Sequence, residues 1–282
     1  MPDRDPATHL RHAFLGCVRL VHPAPTLAVV VLSAALGSIL MAEAGKPIDA
    51  RLPLTVLAVL GSQILTGALN DWTDRSRDAM AQPTKPIPAG MVSPPIALAL
   101  TGAGLALQLG ASLSLGLVPA VLGLAASASA VAYNLWLSRT PASVVPYLVS
   151  FGLLPLWVAA GVGVPLERVA LAPILVGPFA AAAHLANTLR DFDADARLSS
   201  RNLAQVVGRR TAFGLAWSLA MGVGLGAGLA LAVSGGLEPA GLLLGVLGLA
   251  AVAQGLTGPH RLWTGMLVAA VCWTAAWALA TG

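Results

Sequence analysis

The chain has 282 residues, of which 57% are hydrophobic and only 10% are charged. Its mean hydropathy of +0.80 excludes a soluble domain, because such a domain needs a solvated polar surface. The net charge of +4 does not indicate a nucleic-acid partner, since the basic residues flank apolar runs instead of clustering with aromatic residues. The apolar runs are continuous and long, so we predict an all-α integral membrane protein.

Nine apolar runs follow an N-terminal segment, residues 1–24, whose part from about Thr8 to His22 is predicted to lie at the membrane interface. Each run is close to the ~20 residues that a membrane-spanning helix needs. The third and fourth runs meet at Gly116 without a charged separator, and merging them would give eight spans. We expect one membrane domain, residues 1–282. The runs begin near Pro25, Leu52, Ser93, Leu115, Val144, Arg168, Thr211, Ala240 and His260.

The basic residues favour nine spans over eight. With nine spans, one side of the membrane carries thirteen of the sixteen lysine and arginine residues, as cytoplasmic loops do. The other side carries Lys46, Arg51 and Arg168. We therefore predict a cytoplasmic N-terminus in the cell membrane. The thirteen are Arg4, Arg11, Arg19, Arg75, Arg77, Lys85, Arg139, Arg190, Arg197, Arg201, Arg209, Arg210 and Arg261.

Six of the twelve acidic residues fall in two short segments, and the first ends the second span. Its polar residues are Asn70, Asp71, Asp74 and Asp78. The three acids follow one another at three- and four-residue steps, so they share one helix face. Carboxylates in a membrane need compensation, and oxygen ligands without nearby His or Cys favour Mg²⁺. The alternative is a solvated helix end whose acids Arg75 and Arg77 neutralise.

The second acidic segment follows the sixth span. Its polar residues are Asn187, Arg190, Asp191, Asp193 and Asp195. Asn187, Asp191 and Asp195 recur every four residues, which predicts one continuous helix face, whereas Asp193 lies off that face and can pair with Arg197. His184 continues the face into the span, either as a ligand or as a packing residue.

Four spans separate the two acidic segments, so both are predicted on the cytoplasmic side. Carboxylates with neighbouring Lys and Arg suit a clamp for a Mg²⁺-bound diphosphate. Departure of the diphosphate would leave an allylic cation, and an apolar bundle around a central cavity would keep water away from it.

These segments resemble the motifs of the UbiA superfamily of intramembrane prenyltransferases, which has nine helices and two aspartate motifs. The first motif and its basic, Pro-rich loop correspond to residues 70–90, and the second motif and its loop to residues 184–210. Around the fourth span, Tyr133, Asn134 and Arg139 resemble the family's tyrosine and basic segment. The departures are His22 before Pro23, where Arg is frequent, Ser138 in place of Lys, and Ser200 or Arg201 in place of Gly.

The resemblance implies transfer of a polyprenyl group from an isoprenoid diphosphate to a lipophilic, aromatic or lipid-like acceptor, with membrane lipids around the protein. It implies Mg²⁺ ligands at Asp71, Asp74, Asp191 and Asp195, which are also catalytic, with support from Asp78. It implies substrate contacts from Asn70, Lys85, Arg139, Asn187 and Arg190. Tyr133 would flank the allylic cation, and the roles of Arg75 and Arg77 stay open.

Three other functions are compatible with parts of this pattern. A UbiA-type terpene cyclase would ionise the same diphosphate without an acceptor, and a transporter would use buried acids to carry ions. A CDP-alcohol phosphotransferase would require Gly after the second Asp, where this chain has Arg75. Within the superfamily, the loop at 81–90 is more similar to the chlorophyll-synthase and archaeal ether-lipid branches than to the hydroxybenzoate or haem branches.

Overall fold

The computed structural model describes residues 6–197, 199–236 and 238–281, and within these ranges the chain forms helices and no strands. Short 3₁₀ turns at Leu137–Arg139, Pro141–Val144, Leu166–Val169 and Gly255–Thr257 join some of the helices. The helices are α1 (Pro6–Leu20), α2 (Pro23–Glu43), α3 (Arg51–Ala81), α4 (Pro94–Leu115), α5 (Leu117–Leu135), α6 (Val145–Gly161), α7 (Ala172–Arg190), α8 (Phe192–Arg197), α9 (Leu203–Val207), α10 (Arg209–Val233), α11 (Pro239–Gln254) and α12 (Pro259–Thr281).

The described residues contain nine helical segments that are long and apolar enough to cross a membrane, so the protein is an integral multi-pass membrane protein. These segments are built on α2–α7 and α10–α12, and each begins within a few residues of its predicted start. The alternative of eight spans is wrong, because Gly116 separates α4 from α5. Its φ of 128° lies in a region that favours glycine, so the chain can turn there without strain.

Small residues allow the spans to approach closely. Helices α3 and α4 meet at Gly61 and Gly104, where an added Cβ would lie 2.5 Å and 2.4 Å from backbone nitrogen atoms of the facing helix. On the other side of the bundle, the Trp273 ring of α12 fills a notch beside Gly224 of α10 and Gly248 of α11. Glycines that permit backbone contact are typical of helix packing in lipid.

The end of the bundle where α3 begins is fixed by basic side chains that bind backbone carbonyls. Arg51 donates to Gly161 O at 2.9 Å and to Leu115 O at 3.1 Å, while Arg168 donates to Glu43 O at 3.3 Å. Helix α3 extends for 31 residues from this end. At 1.5 Å per residue, its Asp71 lies about 30 Å along the axis from Arg51, at the far side of the hydrocarbon layer.

The N-terminal segment forms α1 within the described residues, as its amphipathic pattern predicts. Leu20 is buried, and Gly16 packs so tightly against Val92 that an added Cβ would lie 2.5 Å from its side chain. Leu10 and Phe14 are exposed on the opposite surface of α1. Its placement at the membrane interface stays a prediction, and residues 1–5 lie outside the described part.

Candidate active site

The first acidic segment forms the last turns of α3, which continues without a break to Ala81. Asp71 and Asp78 are buried, with exposed fractions of 1% and 4%, and Asp74 is partly buried. Asn70 Nδ2 donates to Asn134 Oδ1 at 3.3 Å and so connects α3 with α5. The predicted shared face of the three acids is therefore present.

Lys85 lies between the two buried carboxylates of α3. Its Nζ is 3.1 Å from Asp71 Oδ1 and 2.9 Å from Asp78 Oδ2. Burial lowers the pKa of Lys85, but the attraction of Asp71 and the bond to Asp78 outweigh it, and the pKa lies above its usual 10.5. Lys85 is therefore held as a cation beside the acids.

His22 also contacts this group, from the junction of α1 and α2. Its Nε2 lies 3.1 Å from Asp71 Oδ1, and its backbone has a φ of 53°, which is strained for a residue with a side chain. An open cleft of about 320 Å³ lies between His22, Asp71 and Lys85. A role for His22 at the site was not predicted from the sequence. The one indication was that a His precedes Pro23 here, where related sequences frequently have Arg.

The prediction of one continuous helix face through the second acidic segment is wrong. Helix α7 ends at Arg190, α8 begins at Phe192, and Asp191 stands between them with a φ of −99° and a ψ of 12°. Asp side chains compete for backbone hydrogen bonds, and carboxylates are favoured in the first turn of a new helix, where Asp193 and Asp195 lie. Both observations favour a break at this point.

The acids of the second segment have different surroundings. Asp191 is exposed, and Asp195 is partly buried. Within the described ranges, Asp193 pairs with Arg209, at 2.6 Å, and not with Arg197 as predicted. The reason is tertiary: the start of α10 brings Arg209 against α8, where its guanidinium also packs 4.8 Å from the centre of the Phe192 ring.

Two side chains hold the Asp195 carboxylate. Arg77 of α3 donates to Oδ1 at 2.5 Å, and buried Asn202 donates to Oδ2 at 2.8 Å. Asn202 also caps α9 by accepting from Gln205 N at 3.0 Å. Burial raises the pKa of Asp195, and although Arg77 and Asn202 oppose this, the pKa stays above its usual 3.8.

The two acidic segments meet at one end of the bundle. The Arg77–Asp195 pair connects them directly, and Arg139, which follows α5, pairs with Asp74. The backbone N–H of Arg201 donates to the Arg139 carbonyl at 3.2 Å, so the connections after α5 and α8 are also in contact. Tyr133 lies near the end of α5, one residue before Asn134, which accepts a hydrogen bond from Asn70 at 3.3 Å. A cleft of about 360 Å³ opens beside Arg139.

The remaining predicted residues lie at the edge of this group. Asn187 and Arg190 are exposed, and Arg190 donates to Asn187 Oδ1 at 3.3 Å while its guanidinium stacks 4.7 Å from the Trp263 ring. Arg75 stacks 4.6 Å from Trp72 and donates to its carbonyl. The two arginines whose roles were open thus differ, since only Arg77 reaches an acid of the second segment.

The donor chemistry of the site fits a hard divalent cation such as Mg²⁺, because the side chains available there offer carboxylate and amide oxygens. In the described part of the chain, no three His, Cys, Asp or Glu side chains form a ready-made metal cage, since bases intervene between the acids. Asp71 Oδ2, however, is buried and has no hydrogen-bond partner among the described residues. An orphaned carboxylate oxygen of this kind is free to bind a cation.

Comparisons with known proteins show which family the chain belongs to. The model of the UbiA prenyltransferase family matches residues 30–260. The chain is 35% identical over 159 residues to a protoheme IX farnesyltransferase of Azorhizobium caulinodans, covering 53% of this chain and 50% of that protein. It is 32% identical over 136 residues to one of Methylobacterium sp., covering 46% and 41%. The chain thus spans about half the length of the curated relatives it matches.

Solved structures share the whole architecture. A structure of digeranylgeranylglyceryl phosphate synthase matches with a TM-score of 0.72 at 14% identity, covering 96% of this chain and 98% of that one. A UbiA homologue from Archaeoglobus fulgidus bound to GPP and Mg²⁺ matches with a TM-score of 0.67 at 15% identity, covering 95% and 100%. At such low identity, a structural match shows the fold alone. These matches confirm the predicted nine-helix UbiA-like bundle.

Proposed function

Because the chain belongs to the UbiA prenyltransferase family, we propose that it is a magnesium-dependent prenyltransferase. It would transfer a polyprenyl group from an isoprenoid diphosphate to a lipophilic acceptor within the membrane. The observation that carries the proposal is the Arg77–Asp195 pair, which joins two distant acidic segments into one group of alternating acids and bases. A metal–diphosphate complex needs both kinds of partner: carboxylates for the metal and cations for the phosphate oxygens.

Each charged group of the site has a role in this proposal. The metal would be held by Asp71, Asp74, Asp78, Asp191 and Asp195. When bound, Mg²⁺ supplies positive charge that stabilises the departing diphosphate. Lys85, Arg77 and Arg139 would bind diphosphate oxygens, because these bases already lie against the acids. Asn70, Asn187 and Arg190 would contact the substrate from the rim.

The chain's residues would favour ionisation of the substrate in two ways. The bases stabilise the diphosphate as the carbon–oxygen bond breaks and its electron pair leaves with oxygen. The Tyr133 ring, near the end of α5 that leads to Arg139, would offer a π face to the allylic cation. A central apolar cavity would exclude water, which otherwise captures the cation.

The curated relatives guide the choice of substrates. The relatives that match at 35% and 32% identity are protoheme IX farnesyltransferases, which supports farnesyl diphosphate as the first donor and protohaem IX as the first acceptor to test. This similarity does not support the interpretation of loop 81–90, which favoured branches other than the haem branch. The excess of basic residues on one side supports an N-terminus and active-site loops in the cytoplasm, with the protein in the cell membrane.

The test is a diphosphate-release assay on the purified full-length chain in detergent micelles, with labelled farnesyl diphosphate and protohaem IX. We expect release that requires Mg²⁺, stops with a chelator and is lost in Asp71→Ala and Asp191→Ala. Unchanged turnover in either variant would contradict the proposal. A cyclic isoprenoid formed without acceptor would indicate a cyclase instead, and ion flux in proteoliposomes without diphosphate release would indicate a transporter.

A further inference from the structure

His184 lies on α7 two helical turns before Asp191, which places it about 10 Å deeper in the bundle than the acids. Its side chain is 96% buried, with an exposed fraction of 4%. The Nε2 atom is buried and has no hydrogen-bond partner in residues 6–197, 199–236 and 238–281. A packing histidine normally satisfies both ring nitrogens, and an orphaned buried nitrogen costs about 1–3 kcal/mol. In the tautomer with hydrogen on Nδ1, this unpaired nitrogen is able to accept a proton.

Aromatic rings surround His184 on the side of the active site. The imidazole stacks on Tyr147 with ring centres 4.2 Å apart and meets the edge of Tyr133 at 5.6 Å. Tyr133 lies one residue before Asn134, which accepts a hydrogen bond from Asn70 beside the first acidic segment, so Tyr133 links His184 to the acidic end of the bundle. Tyr133, Tyr147 and Phe151 are only partly buried.

These rings also suit a transient positive charge. A cation stacked on an aromatic face gains about 0.5–2 kcal/mol, more when water is excluded. Burial makes a charged imidazole costly, and stacking on Tyr147 offsets part of that cost. Among the described residues, the aromatic contacts of His184 are with the two tyrosines, one on α5 and one on α6.

We propose that His184 Nε2 is the general base that accepts the proton released when the allylic cation is captured. The inference rests on the proposed function. When the carbon–oxygen bond breaks, its electron pair leaves with diphosphate, and the acceptor's electron pair then forms the new bond to the prenyl carbon. The acceptor's proton moves to the Nε2 lone pair, in the tautomer with hydrogen on Nδ1, and the imidazolium later returns it to solvent. Cyclisation also ends in loss of a proton, so the base serves either outcome.

The experiment measures diphosphate and organic products separately, from labelled farnesyl diphosphate with and without protohaem IX. His184→Phe keeps a stacking ring and removes the base. We expect diphosphate release within about twofold of wild type. Prenylated acceptor and hydrocarbon, whose released proton would pass to His184, should fall about 100-fold, and farnesyl alcohol, whose released proton passes to water, should replace them. His260→Phe, at an exposed position that begins α12, is the matched control and should leave both quantities unchanged.

A second variant separates proton transfer from packing. His184→Ala should lose the same products, and added imidazole should restore them without changing diphosphate release; circular dichroism and gel filtration check that it folds. The inference would be overturned if His184→Phe left the product ratio unchanged, or if its products and diphosphate fell in parallel. It would also be overturned if the wild type formed only farnesyl alcohol, or if imidazole failed to rescue His184→Ala. A wild type that releases no diphosphate would instead contradict the proposed function.

Discussion

Arg77 donates a 2.5 Å hydrogen bond to Asp195, a residue 118 positions later in the chain. The pair connects the last turns of α3 with α8, and both side chains are largely buried, with 19% exposure each. It is the direct contact between the two acidic segments. The geometry that brings the proposed metal ligands together therefore depends on an arginine that the first segment itself supplies.

Arg77→Met should destabilise the protein and weaken diphosphate binding. The substitution leaves the Asp195 carboxylate partly buried with Asn202 as its remaining partner, which costs about 1–3 kcal/mol. Thermal unfolding in detergent measures the stability, and calorimetric titration with inorganic diphosphate measures binding. Arg75→Met is the matched control: Arg75 contacts Trp72, so its loss should cost at most about 1 kcal/mol and leave binding unchanged. Equal effects of both variants would contradict this role of Arg77.

Lys85→Gln should change the affinities for Mg²⁺ and diphosphate in opposite directions. The ammonium now binds Asp71 and Asp78, so magnesium has to displace it from these acids. Without Lys85, we expect tighter Mg²⁺ binding in the absence of diphosphate, and about 10-fold weaker diphosphate binding because a charge-assisted hydrogen bond is lost. Isothermal titration measures both. Lys46→Gln, at the opposite end of the bundle, should change neither, and a joint fall of both affinities in Lys85→Gln would contradict the exchange of partners.

The Lys85 ion pairs predict a dependence of stability on high pH. Their acidic partners hold the pKa of Lys85 in the folded protein above 10.5, the value expected when unfolded. Stabilisation is therefore complete below pH 10.5 and is lost as pH rises through the folded pKa. We expect the difference in unfolding temperature between wild type and Lys85→Gln to stay constant from neutral pH to 10.5 and to shrink above it. A difference that stays unchanged well above pH 10.5 would contradict this assignment.

Gly104→Ala should displace α4 from α3 and disturb the first acidic segment. The added Cβ would lie 2.4 Å from Leu65 N, and a backbone atom cannot move aside as a flexible side chain can. We expect a loss of about 1–3 kcal/mol in thermal unfolding, with weaker diphosphate binding. Gly102→Ala on the same helix has open space around its Cβ and should be neutral or stabilising by up to about 1 kcal/mol. If Gly104→Ala and Gly102→Ala were equally stable, the contact between Gly104 of α4 and Leu65 of α3 would not be tight.

Features encoded locally could be predicted from the sequence. The nine spans follow from runs of apolar residues, and the shared face of Asp71, Asp74 and Asp78 follows from helical spacing inside a long helix. Helix α3 continues through these acids to Ala81. The second segment breaks at Asp191, because Asp side chains there compete for backbone hydrogen bonds.

The pairing of charges could not be predicted, because it depends on tertiary structure. Arg75 and Arg77 differ by two positions and have the same chemistry, yet only Arg77 reaches Asp195. Asp193 had a suitable partner one turn away in Arg197 but pairs with Arg209 of α10. The contact between His22 and Asp71 requires the turn between α1 and α2, whose strained backbone no periodic pattern specifies.

The central claim is that both acidic segments hold one metal–diphosphate complex. Its most direct test is electron paramagnetic resonance of Mn²⁺ titrated into the full-length chain with inorganic diphosphate, for wild type, Asp71→Asn, Asp195→Asn and the double variant. The account predicts that each single variant weakens Mn²⁺ binding about tenfold or more, and that the double variant is little worse, since the ligands act as one coupled site. Unchanged Mn²⁺ binding in either single variant would contradict the account. So would a double variant whose loss of Mn²⁺ binding free energy equals the sum of the two single losses, as expected for independent sites.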